Sequence, residues 1–275
     1  MSVKGLSSPD RALPWPVSEA RAASTAGGGT ALATTAVRVT LFDKTQGVAL
    51  VPRNFSTAVV AKWAPCPYLV ILKTTDGLAT AIDYSDEAQD RDAATDVDLS
   101  SLGTLANGDY VLVGSHVPFR GIDVDVDAAN GNASVLTAKY WNGSAWVDLS
   151  ASDGTASGGA TFAQDGLITW TPPSAWAVAR LKEIVPATAA AVGPRQDLPL
   201  YWVRIEVSAA LDSTTTCNAM ISLPRSTAYA ELTTGLVQEL SCQKGPGGIA
   251  AIEALTDAGT ANLIVNCYTW GDAGF

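Results

Sequence analysis

Residues 134–150 read SVLTAKYWNGSAWVDLS, and the period of the apolar residues there decides how the chain folds. Asn142-Gly143-Ser144-Ala145 is a turn sequence between two runs rich in β-branched and aromatic residues, the pattern of a β-hairpin. Whether the loop is those four residues or only Gly143-Ser144, Trp141 lies opposite Trp146. The same register sets Tyr140 against Val147, Lys139 against Asp148 and Ala138 against Leu149. Alternation gathers Leu136, Ala138, Tyr140, Val147 and Leu149 on the core face. The other face carries Trp141, Trp146 and a Lys139–Asp148 cross-strand pair, and it meets solvent or a partner. A cross-strand Trp pair adds roughly 0.2–1 kcal/mol to a hairpin. Hairpin stabilisation and a contact surface therefore both account for it.

The same β pattern runs outward in both directions. VRVTLFD, GVALVP, STAVVAKW, YLVILKTTDG and TAIDYSD precede it, separated by Gly, Pro and Asp turn signals. DYVLVGS, GIDVDVD, GLITWTPP and LYWVRIEVSA surround the hairpin, and AYAELTT, VQELSC, GIAAIEALT and NLIVNCYTW follow. Only PSAWAVARLKEIV (173–185) has helical character, with Ser174 as the N-cap. The stretch SDEAQDRDAATDVDLSSLGTLANGD (85–109) is acidic and turn-rich, and it reads as a connection ending in a domain boundary.

Residues 1–35 hold Pro9, Pro14, Pro16 and the run STAGGGT, with no sustained period of 2 or 3.6. Such a segment buries too little apolar surface to fold alone. It reads as an extended arm anchored by Leu6, Leu13, Trp15 and Val17. The organisation expected is thus an arm (1–35), a β-rich lobe (36–105), a β-sandwich (106–212) and a β-rich C-terminal part (213–275) that packs with 36–105. The fold class is all-β.

Composition narrows the function classes. Charged residues are 16% of the 275-residue chain, so much of its polar surface is Ser, Thr, Asn and Gly, as in a loop-rich structural module. The net charge of −10, with no Lys/Arg cluster, argues against nucleic acid and against an anionic membrane. No run reaches the length of a transmembrane helix, and the N-terminus lacks the apolar core of a signal peptide. Cys66, Cys217, Cys242 and Cys267 are widely spaced without a C-x-x-C pair, which suits buried thiols of a protein made in a cytoplasm.

Catalytic and metal-binding patterns are thin, and no cofactor is expected. The one histidine, His116, projects away from its neighbour Ser115 on a strand, so the two form no nucleophile–base pair. Asp123, Asp125 and Asp127 copy the first half of an EF-hand loop, but Ala128 stands where its glycine belongs and no Glu closes it. They read as the wet face of a strand. Asp86, Glu87, Asp90, Asp92, Asp96 and Asp98 read as a solvated loop. QKGPGG (243–248) joins strand to strand and reads as a turn, and the N-x-S sequons at Asn54, Asn132 and Asn142 as chance matches.

The runs GDYVLVGSHVPFRGIDVDV, SVLTAKYWNGSAWVDLS, FAQDGLITWTPPSAW and LYWVRIEVSAAL, in that order, resemble a module of tailed-bacteriophage virion proteins. The resemblance spans roughly 108–212 and rests on the Tyr-Trp-Asn-Gly-x-x-Trp hairpin, the Trp-Thr-Pro-Pro-x-x-Trp turn and the Tyr-Trp-x-Arg strand. It implies a discoidin or galactose-binding-like jelly roll, used for protein or carbohydrate contact. The further expectation is a non-enzymatic virion protein, made in the bacterial host cytoplasm, that decorates or cements a capsid. Its partners would be the major capsid protein or other virion subunits, including copies of itself. A receptor- or glycan-binding protein is the alternative. On either reading Trp141, Trp146, Lys139 and Asp148 are the contact candidates.

Overall fold

The computed structural model describes residues 17–18, 29–43, 45–56, 59–185, 189–232 and 236–268, with backbone alone at 17–18, 189–192 and 268. Nearly all regular structure is β-strand. The first strands are β1 (Val17–Ser18), β2 (Thr30–Leu32), β3 (Val37–Thr40), β4 (Gly47–Arg53), β5 (Ala61–Pro67), β6 (Val70–Thr75) and β7 (Ile82–Asp83). Then come β8 (Val97–Asp98), β9 (Asp109–Ser115), β10 (Gly121–Val126), β11 (Leu136–Trp141), β12 (Trp146–Asp148), β13 (Ser152–Asp153) and β14 (Gly166–Thr169). The last are β15 (Val178–Ala179), β16 (Leu200–Val207), β17 (Thr216–Ser222), β18 (Ala230–Leu232), β19 (Gln238–Leu240), β20 (Ile249–Thr256) and β21 (Ala261–Tyr268).

The chain forms two compact units. The larger takes Pro65–Thr227 and Gly245–Ala251. One of its sheets runs β12-β11-β16-β9-β6-β7, the other β13-β14-β10-β17-β8. From β8 onward the chain crosses repeatedly between them, so that β14-β10-β17-β8 faces β12-β11-β16-β9. That is the strand order of a jelly roll. Its core lies between the sheets: Val111, Val113, Ala138, Tyr140, Val203 and Ile205 from the first, Ile122, Val124, Ile168, Cys217 and Met220 from the second.

Burial along each strand follows from what covers it. β11 alternates buried and half-buried residues, as a strand with one covered face should. In β9 every residue is buried, because the outer side of its sheet is covered too. A second, smaller core sits there, built on Val70, Leu72, Tyr110, Leu112, Leu200 and Trp202 and roofed by Leu78, Leu181, Ile184 and Leu198. Trp202 is fully buried in it, and its ring lies over Gly114. A Cβ on Gly114 would stand 2.6 Å from the Trp202 ring, so only glycine admits that indole.

The other unit comprises the described residues of Met1–Ala64, Ala228–Lys244 and Ile252–Phe275. In one sheet β21 pairs with β4, which pairs with β19, and β1 and β2 both lie on the free side of β21. Strands β3 and β18, residues 61–64 of β5 and residues 252–256 of β20 also belong to this unit, in the sheet order β18-β5-β20-β3.

Four expectations need correcting. The boundaries near 105 and 212 fall inside the jelly roll. β6 joins its first sheet by pairing with β9, and β8 and β17 complete its second. The acidic connection is folded because Val97, Leu99 and Leu102 within it are fully buried, while its acids serve local turns. The arm does not run to residue 35, since β2 is a sheet strand with Leu32 buried. Leu6, Leu13 and Trp15 lie outside the described residues, and the backbone of Val17 pairs with Cys267.

Finally, the helix expected over 173–185 is one turn, Leu181–Ile184, capped at Arg180 rather than Ser174. The preceding residues bond to the sheet instead: Ala177 N–H donates to Trp141 O at 3.0 Å, and β15 pairs with Tyr201 and Leu200.

Candidate contact surface

The hairpin of β11 and β12 has the register its sequence implies: Lys139 opposite Asp148, Tyr140 opposite Val147, Trp141 opposite Trp146. The Asn142 carboxamide oxygen holds the turn, accepting the N–H groups of Ser144 at 2.9 Å and Ala145 at 2.8 Å. Asn142 N–H donates to Ala145 O at 3.1 Å, closing a four-residue loop whose tip is exposed. Gly143 supplies the positive φ of 99° that the loop requires.

The outward face is less open than an isolated hairpin would be. Trp141 and Trp146 meet edge to face, with centroids 5.5 Å apart and planes at 63°. Both are half-buried against the smaller core. The Arg204 guanidinium lies 4.9 Å from the Trp146 ring centroid and 5.6 Å from that of Tyr110, a cation between two π faces. The pair is thus stitched to β16 and β9 as well as to itself.

Lys139 does not pair with Asp148. Its Nζ donates to Glu206 Oε2 at 2.8 Å, while Glu206 Oε1 accepts Nε and Nη2 of Arg204, each at 2.7 Å. Lys139 stands directly opposite Arg204 in the sheet, and like charges so placed repel. Glu206, diagonal to Lys139, offsets that repulsion. Asp148 instead accepts Ser150 N–H at 2.7 Å, closing the turn after β12. Sequence reasoning missed Arg204, Glu206 and Tyr110. The available signal was LYWVRIEV, where two opposite charges two residues apart share one face of an otherwise apolar strand.

The motifs of 108–212 converge on the core side of the same strand. Trp176 donates its indole N–H to Trp202 O at 3.1 Å, and Trp170 to Phe119 O at 2.8 Å. Phe119 packs 5.3 Å from both of these rings, and Trp176 lies 5.8 Å from Tyr201 and 6.2 Å from Tyr140.

Elsewhere the candidate groups are engaged locally. Arg91 reaches Asp123 at 2.5 Å and Asp125 at 2.8 Å, and Thr216 donates to Asp127 at 3.1 Å. Among the described residues no group of three His, Cys, Asp or Glu is arranged to hold a metal ion. Burial lowers the His116 pKa, and its Nδ1 has no hydrogen-bond partner among the described residues. Burial also pushes the Cys217 thiol up, and Cys242 up to about 11, which disfavours the thiolate. Lys244 of the glycine-rich turn is held by Asp43 at 2.7 Å.

Searches against family models, curated proteins and solved structures found no match to this chain.

Proposed function

We propose that the chain is a non-enzymatic structural protein of a tailed-phage particle, a capsid decoration or cement protein that clamps neighbouring shell subunits. One observation supports the reading most. The hairpin, the Trp170–Trp176 turn and β16, on which the resemblance rests, form one contiguous aromatic assembly around β16. Residues used this way hold a sandwich rigid and present its tips and edges to a partner. Contact then falls to the exposed Gly143–Ala145 tip with Trp141, Trp146, Lys139 and Asp148 beside it, and to the N-terminal segment as tether.

A glycan- or receptor-binding role is the second reading. It is favoured by the half-exposed Trp146 lying beside the Lys139–Glu206–Arg204 charges, an aromatic edge next to hydrogen-bonding groups.

The deciding experiment is co-sedimentation of the full chain with capsid shells that lack it, alongside a glycan array. Binding to shells, weakened by Trp146→Ala or by Leu6→Asp/Leu13→Asp/Trp15→Asp, supports the cement reading. Glycan binding without shell binding replaces it with the second, and binding to neither overturns both.

A further inference from the structure

The sheet built on β4 and β21 has two edges, and the chain treats them differently. On the β21 side both ends are covered by the N-terminal segment: Val17 and Ser18 pair with Cys267 and Asn266, and Thr30–Leu32 pair with Leu263–Ala261. On the other side β19 pairs with β4 through Gln238–Leu50, Glu239–Ala49 and Leu240–Val48. Among the described residues nothing pairs with the outer side of β19.

The stretch Leu236–Leu240 along that open edge lacks the usual protections. It has no proline, lysine or bulge, and its single charge is Glu239. Just before β19, Leu236 is 64% exposed and Val237 53%. Continuing the register would set Val237 beside Val51 and Leu236 beside Pro52, and Pro52 has no N–H to offer a ladder. An open edge carrying exposed apolar side chains is a template for an added strand.

The chain contains a segment suited to it. Residues 1–16 lie ahead of β1, and residues 2–7 (SVKGLS) are free of proline. Lys4 and Arg11 against Asp10 give residues 1–16 a net charge of +1, in a chain whose total is −10. The positive segment thus complements the acidic body and the Glu239 edge. Residues 8–16 contain Pro9, Pro14 and Pro16, and a proline-rich linker of nine residues reaches roughly 30 Å at about 3.1 Å per residue. A strand on the outer edge of the chain's own β19 would lie only four strand spacings from β1, about 19 Å. A stiff linker overshoots that distance and is better matched to a neighbour.

We propose that residues 2–7 of a second copy add as a strand to the outer edge of β19, linking copies head to tail. Such an interface is heterologous, so it propagates into a ring or an open array, as a shell-cementing layer requires. The inference deepens the tether reading by naming the tether's partner. It is tested on isolated protein without shells, so its failure and that of the cement reading are distinguishable.

The experiment is sedimentation velocity of the full chain over roughly 1–100 µM, where mass action reveals self-association. The expected result is concentration-dependent association, weakened at least about tenfold by Leu236→Lys/Val237→Lys and equally by Val3→Pro/Leu6→Pro. The second variant alters residues ahead of β1, so it keeps the test valid if the edge variant misfolds. Oxidising an equimolar mixture of Leu6→Cys and Val237→Cys chains should give a covalent dimer. A chain that stays monomeric throughout overturns the proposal. So does association that the N-terminal variant leaves unchanged, or a Leu6→Cys/Val237→Cys chain that closes its disulfide within one monomer.

Discussion

In the jelly roll the buried indoles of Trp170, Trp176 and Trp202 each donate to one backbone carbonyl, those of Phe119, Trp202 and Ala179. In the other unit the fully buried carboxylate of Glu253 is held by the Arg38 guanidinium at 2.7 Å and by the Tyr229 hydroxyl, and the buried Trp63 indole has no hydrogen-bond partner among the described residues. The jelly roll's three neutral indole donors are each satisfied by one carbonyl, at little desolvation cost. The other unit takes two charges out of water and offsets that cost through the Arg38–Glu253 geometry and the Tyr229 hydroxyl. The jelly-roll core should therefore be sensitive to lost volume, and the other unit to lost charge balance.

The largest effects test that contrast. Trp202→Ala should cost about 3–5 kcal/mol, because it empties the space over Gly114 and strands the Ala179 carbonyl. Glu253→Ala should cost a similar amount, about 3–5 kcal/mol, by removing the carboxylate that faces the largely buried Arg38 guanidinium. The two differ in rescue. Arg38→Met/Glu253→Leu should recover most of the stability in equilibrium urea unfolding, since a buried pair replaced by apolar residues of similar volume is often neutral or stabilising. If the double variant is as weak as Glu253→Ala, the ion pair stabilises the unit outright and the contrast fails.

An intermediate effect is expected at the hairpin. Trp146→Ala removes an edge-to-face contact, worth about 0.5–1.5 kcal/mol, and an Arg204 cation–π contact, worth about 0.5–1 kcal/mol. The loss should therefore be clearly smaller than for Trp202→Ala, read in the same urea titrations. A chain that loses this stability yet still binds shells assigns the pair to the smaller core alone.

How much of this was legible in the sequence depends on the range of the interaction. The hairpin register and the two faces of β11 follow from a period of 2 and one turn, both local, and the all-β class follows from many such runs. Which strands become neighbours is not local. β6 pairs with β9 across the acidic stretch, and a strand's own residues state which face is buried without naming its partner. The acidic stretch was misread because charge dominates its composition, although Val97, Leu99 and Leu102 carry an apolar spacing that the core uses. Of the contact candidates, Trp141 and Trp146 do face outward together. The ion pair assigned to Lys139 went to Glu206, because a third strand brought Arg204 alongside, and no reading of the hairpin alone contains that strand.

The smallest effect concerns the loops at one end of the jelly roll, where the half-buried carboxylate of Asp212 does the work that indoles do inside. Asp212 accepts Gly131 N–H at 2.7 Å, Thr214 N–H and Oγ1–H at 3.0 Å each, and Thr215 Oγ1–H at 2.9 Å. These donors favour the ionised form and hold its pKa well below the usual carboxylate range, with the Gly131 N–H the largest cause. In the unfolded chain the same group titrates near about 3.9. A folded pKa lying below the unfolded one means the stabilisation is complete above that value and is lost as pH falls through the folded pKa. Asp212→Asn keeps the shape but not the charge, so it should melt at a lower temperature than the parent near neutral pH. The gap should close as melts are taken into acid below about pH 4, where the parent's own carboxylate begins to lose its advantage. A gap that stays constant down to about pH 2 would mean that side-chain shape, and not the anion, holds Gly131 and the Thr214–Thr215 turn together.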